Sequence, residues 1–251
     1  MILDLIRRMF EKAYTDEPRF PPTTLFNETW MIRLVLEAYA QHLGGKQTAT
    51  VPFHNGATWF SEAQLPSRFL ARYRGDPLAE GWTHADGVVS QVPGDFDGTG
   101  GFYLSPSASQ LTVLEAKMFT SLSAGTKKAP DYDQATRNVA CMAELLSLAG
   151  RNPDQFDELR FAVIAPCEQI EANAFGSLVT HDSIRQKVRK RVASYEGQHD
   201  AWFDEWFTPT LERIVLDMLA WEDLISDVRH LDEHTGHELD AFYQQCLRYN
   251  R

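Results

Sequence analysis

The chain has 251 residues, 43% of them hydrophobic, and a formal net charge of −11. That content supports a full buried core, while the acidity argues against broad electrostatic capture of nucleic acid, so any contact with phosphates must come from a local basic patch. No apolar run reaches the roughly 18 residues of a membrane-spanning helix, and the three cysteines (Cys141, Cys167, Cys246) show neither a zinc spacing nor a disulfide framework; no membrane association and a reduced, cytoplasmic setting are expected.

Met1–Tyr14 alternates apolar residues with Asp4, Arg7, Arg8, Glu11 and Lys12, which predicts an amphipathic helix and not a signal peptide. Pro18, Pro21 and Pro22 break it. A second helix is expected from Asn27, as cap, to His42, ended by Gly44-Gly45, with an apolar face of Met31, Leu34, Val35, Ala38 and Tyr39. Residues 50–82 carry short aromatic segments and a basic stretch, Arg68 to Arg74, without a clear period.

From Trp82 the pattern changes. Thr83–Ser90 reads as a strand, Val92–Gly101 as a Gly- and Asp-rich loop, and Gly101–Leu104 and Leu111–Met118 as strands. Asp131–Ala149 is a strongly amphipathic helix closed by Gly150, and Arg160–Pro166 fits a buried strand. Helices are predicted over His181–Tyr195, Thr208–Leu231 and His237–Arg248. The order predicts an α/β fold, a small central sheet with helices on its faces. Residues 1–251 form one domain in this reading, with a core at about 27–195 and a C-terminal helical extension at about 200–251.

The chemistry concentrates on that sheet. Asp86 lies near the end of an apolar strand, followed by Gly87. About thirty residues on comes Leu114-Glu115-Ala116-Lys117, where strand alternation points Glu115 and Lys117 to the side of Val113, and Leu114 and Ala116 to the other. A carboxylate and an amine two apart on a core strand are costly to desolvate, unless a metal ion and a polar ligand share the space. Two carboxylates from neighbouring strands suit Mg2+, which takes oxygen ligands and can polarise a phosphate. Glu-x-Lys also occurs as a solvated pair on exposed strands, so the flanking helices carry weight. Glu28 projects within the apolar face of its helix, where it meets either the helix dipole or a metal site. Gln134, Asn138 and Cys141 form a row along the edge of theirs, as ordinary boundary polarity or with Gln134 hydrogen-bonded to a phosphate or a metal-bound water beside Lys117.

Ala-Asp-Gly-Val-Val, then Val-Leu-Glu-Ala-Lys-Met, then Tyr-Asp-Gln-Ala-Thr-Arg-Asn-Val-Ala, resembles the core of the PD-(D/E)XK nucleases over roughly residues 27–166. The resemblance implies a restriction-endonuclease-like core and Mg2+-dependent (or Mn2+-dependent) hydrolysis of phosphodiesters in DNA, with RNA also open. Asp86 and Glu115 match the acidic positions and metal ligands, Lys117 the catalytic lysine, Glu28 the acidic residue of the first helix and Gln134 the polar residue of the following helix. Two departures stand: Ala85 occupies the position of the family's proline, and Asn138 that of a frequent aromatic residue.

Ser183–Arg191 carries five basic residues, Arg185, Lys187, Arg189, Lys190 and Arg191. In so acidic a chain it is the expected phosphate-contacting patch, joined by Lys127, Lys128 and Arg137; a solvated helix face, or pairing with the acidic Asp200–Glu205 stretch, is the competing reading. Asp95-Phe96-Asp97-Gly98 reads as a turn, His84 as a packed or hydrogen-bonded residue, and Trp202–Phe207 as core or a protein interface. The alternative to an enzyme is an inactive nuclease-fold subunit that binds nucleic acid or a protein partner, with a homodimer also open.

Overall fold

The computed structural model describes residues 2–15, 19–42, 50–91, 101–125 and 128–251. The expected Gly44-Gly45 stop, the loop over 92–100 with its Asp95–Gly98 turn, and Lys127 lie outside them. Helix α1 (Ile2–Glu11) runs into a 3-10 turn, Lys12–Tyr14, and leaves Ile2, Leu5, Ile6 and Met9 exposed. Helix α2 is Glu28–His42. Its first turn is capped as the sequence predicts: Trp30 N–H donates to Asn27 Oδ1 at 3.0 Å.

Strands β1 (Thr58–Leu65), β2 (Thr83–Ser90) and β3 (Gln110–Ala116) form an antiparallel meander. Helix α3 (Gln134–Ala149) then crosses over to β4 (Glu158–Ala165), parallel to β3. The short α4 (Cys167–Glu171) and α5 (His181–Ala193) follow. Helix α6 (Asp200–Trp202) continues through a π turn, Phe203–Phe207, into α7 (Thr208–Arg213). Strand β5 (Val215–Ala220) adds parallel to β4, and α8 (Trp221–Leu231) and α9 (Glu233–Asn250) close the fold. The sheet order is β1-β2-β3-β4-β5. The architecture is thus α/β, a five-stranded mixed sheet between two layers of helices.

One apolar layer joins Val113, Phe161 and Val163 to α3, α5 and Trp202, Phe203 and Phe207. The other joins Leu114, Ala116, Ala162 and Ile164 to α2, α8 and α9. Strand β3 is buried along its whole length, so every polar group on it must be satisfied inside the protein.

Four expectations need correction. Leu34 is 37% exposed, and Ile32 and Leu36 take its place on the buried face of α2. The reason is Gly87: a Cβ there would stand 3.0 Å from Leu36 Cδ1, so α2 settles onto the bare backbone of β2. Gly101–Leu104 makes only an isolated bridge, Gly101 to Gln64. The helix expected over Thr208–Leu231 is interrupted by β5, because a free strand edge of β4 accepts the apolar run Val215–Ala220. The region after residue 200 is accordingly part of the sheet and its core, not a purely helical extension.

Candidate active site

Strands β2 and β3 stay paired up to Gly87 and Leu114, and there they part. The next residues are Asp86 and Glu115. In place of a ladder partner, Ala116 N–H donates to Asp86 Oδ2 at 2.7 Å. The side chain of Asp86 therefore closes the gap that the diverging strands open. Across from it on β1 the backbone is also irregular: Ser61 pairs with Gly87 and Ala63 with Ala85, and Glu62 between them takes a left-handed φ of 56°.

Glu115 is completely buried on the α3 side of the sheet, as alternation predicted. Its carboxylate is held by three donors. Lys117 Nζ donates to Oε1 at 2.6 Å and Gln134 Nε2 to the same oxygen at 2.5 Å; Asn138 Nδ2 donates to Oε2 at 3.0 Å. Gln134 opens α3, whose cap is Asp133, with Oδ1 accepting from Thr136 N–H at 2.8 Å. Gln134 also accepts from Ser123 N–H at 3.2 Å, so its amide bridges the preceding loop to the buried carboxylate.

Lys117 is fixed through its backbone. Its N–H donates to Ile164 O at 2.8 Å, and its carbonyl accepts from Trp221 Nε1 at 2.9 Å. Trp221, the first residue of α8, was not singled out in the sequence; the β5-to-α8 junction that delivers it was hidden by reading one helix there.

The Asp86 carboxyl group is pushed up to about 8, first by burial and then by the Glu115 charge beside it; the Ala116 N–H and Lys117 oppose the shift only in part. An ionised carboxylate has about four acceptor sites. Glu115 uses three for the donors above, whereas Asp86 uses one. At neutral pH Asp86 keeps its proton and is hydrogen-bonded to Glu115; a cation bound there would displace that proton. Asn138 Oδ1 adds a buried oxygen with no hydrogen-bond partner. An oxygen-ligated divalent cation fits that surplus of acceptors and repulsion.

Glu28 does not join them. It opens α2 in the layer on the opposite face, where its charge bears on Cys246 of α9. Among the described residues no group of three or more His, Cys, Asp or Glu side chains is gathered to hold a metal. His84, two before Asp86, is exposed.

Most of the basic residues are engaged within the chain. Lys187 is paired with Asp133 and Lys190 with Asp131. Arg185 approaches Asp182 at 3.6 Å and Glu212 at 3.9 Å. Arg189 lies over the Phe203 ring. Lys128 Nζ donates to Asp76 O at 2.8 Å, and Arg137 Nη2 to Ser123 Oγ at 3.1 Å. Arg191 is 5% exposed and donates to Leu78 O, so it lies beneath the open face of α5. The carboxylates engaged are Asp131 and Asp133 just before α3, Asp182 of α5 and Glu212 of α7, none of them from Asp200–Glu205. No protein-family model, curated protein or solved structure matches this chain.

Proposed function

We propose that the chain is a metal-dependent nuclease of the PD-(D/E)XK kind, with a restriction-endonuclease-like core, that hydrolyses phosphodiester bonds in DNA. The observation that carries this reading is the meeting of Asp86 and Glu115 at the parting of β2 and β3, with Lys117 on Glu115. Two carboxylates side by side, one fully and one half buried, share a single ammonium, Lys117, and that arrangement leaves a place for a further cation.

Asp86 and Glu115 are the residues that would hold Mg2+ or Mn2+, which when bound supplies a Lewis acid for the scissile phosphate. The chain's own groups do the rest. Lys117, locked by Glu115 and by its pinned backbone, sets an ammonium where it can orient the attacking water or neutralise charge growing on a phosphate oxygen. Gln134 and Asn138 hold Glu115 in one orientation, beside Asp86.

The test is incubation of purified protein with circular and linear DNA, with Mg2+, Mn2+ or chelator, beside Lys117→Ala. Metal-dependent cleavage by the wild type alone is expected, and a loss of about 100-fold or more in the variant follows from removing a preorganised charge. Cleavage that survives chelation, or an equally active Lys117→Ala, would sink the reading. The engagement of most of the basic residues within the chain favours a second reading, a binding subunit without activity; it predicts no cleavage under any of these conditions.

A further inference from the structure

A second polar site lies beside the first and is built differently. A pocket of about 100 Å3 opens between the start of α3 and the end of α5. Lys128, Lys187, Lys190 and Arg191 line it, against a single carboxylate, Asp131. Its floor is Arg191, more than nine-tenths buried. The guanidinium sits between aromatic faces, 5.2 Å from the rings of Phe69 and Tyr195 and 5.8 Å from that of Tyr132. It donates to Leu78 O and to Tyr195 Oη, both uncharged acceptors. Its Nε has no partner, and neither has the hydroxyl of Tyr132, which lines the same pocket.

Buried donors without acceptors each cost roughly 1–3 kcal/mol, and native proteins satisfy such groups with water or a ligand. Water alone answers the hydroxyl. It does not answer the charge of Lys128, which rests on a carbonyl oxygen; Lys187 and Lys190 are paired with Asp133 and Asp131. Glu80, buried and hydrogen-bonded by Ser67, also bears on Arg191; it is not among the residues lining the pocket. Three lysines and an arginine lining one small pocket against one carboxylate match the oxygens of a phosphoryl group. The volume is about that of three waters, enough for one such group. We propose that this pocket is a subsite for a single phosphoryl group.

Its position adds meaning. Asp131 of the pocket and Gln134 of the carboxylate site are three residues apart, so their Cα atoms lie within about 11 Å. A phosphoryl group held by Arg191 would sit beside the bond-breaking centre proposed above, but its binding needs neither the metal nor the chemistry.

The test is isothermal titration calorimetry with inorganic phosphate at low salt in chelator, on wild type, Lys128→Ala/Lys190→Ala and Arg191→Lys. Both lysines are exposed, so the double variant should melt with the wild type. Its affinity should fall about tenfold or more, as expected for lost charge-assisted contacts, and Arg191→Lys should also bind more weakly. Adenosine monophosphate, and one oligonucleotide with and without a terminal phosphate, separate a free nucleotide from a strand end; preference for either phosphorylated ligand supports the subsite. No heat with phosphate in the wild type, equal affinity in the double variant, or indifference to the terminal phosphate would each overturn it. Asp86→Asn should bind phosphate like the wild type, so cleavage can fail while the subsite stands, and the reverse.

Discussion

At the scale of single residues, the Asp86–Glu115 pair makes the sharpest predictions. The folded chain holds the Asp86 proton more tightly than an unfolded chain does, up to about 8. Its contribution to stability is therefore full below the ordinary carboxylate range and is lost as pH rises toward 8. In chelator, the stability of the wild type relative to Asp86→Asn should decline steadily over that window. A gap independent of pH, by urea unfolding, would contradict the burial and repulsion described here. Asn138→Ala removes a donor from a buried carboxylate and should cost about 1–3 kcal/mol. Glu62 is a different case: a left-handed β-strand residue is strained by about 1–2 kcal/mol relative to its relaxed form. Glu62→Gly should leave stability level or slightly raised, and Glu62→Val should lower it, in the same unfolding assay. The sequence announced Asp86, Glu115, Lys117 and Gln134, because strand alternation and helix phase are local rules. Glu28 followed the same rule of phase, yet phase fixes only which face of α2 is buried, not which face of the sheet that helix covers.

At the scale of elements, what could be read depended on whether an element's pattern was made by its own residues. Strands β2, β3 and β4 and helices α2, α3 and α5 were legible, since their apolar periods are complete. Strand β1 was not. Thr58–Ser61 run from exposed to half-buried without alternation, Glu62 is exposed, and only Ala63–Leu65 alternate, because the backbone turns over at Glu62 and exchanges faces midway. Strand β5 was misread because a short apolar run fits a buried strand or a helix equally, and the edge of β4 decides. The correction has a consequence for Lys117, since the turn from β5 into α8 aims Trp221 at its carbonyl. Trp221→Phe keeps most of the packing and removes that hydrogen bond. It should lower stability by about 1 kcal/mol and weaken cleavage through kcat more than KM, as expected for a group that positions Lys117 without touching substrate. A KM effect alone would count against this.

At the scale of the whole molecule, the two helical layers differ in how far they reach along the chain. The α3 layer is made largely by neighbours in sequence, crossovers that return to the next strand. The other layer joins α2 to α8 and α9. Asn250 Nδ2 donates to Phe26 O at 2.7 Å, Cys246 lies against Asn27, and Tyr39 Oη donates to Asp227 at 2.9 Å. Deleting Glu233–Asn250 should therefore abolish cooperative unfolding, in a circular dichroism melt, where an appended helix would leave it intact. That seam also sets an order of events during synthesis. Residues 26–39 leave the ribosome early, and the meander covers Ile32 and Leu36, but the part of that segment that α8 and α9 cover stays open until residues 221–250 follow. At about 5–20 residues per second, Phe26 and Tyr39 wait for about ten seconds or more before Phe242 and Asp227 reach them.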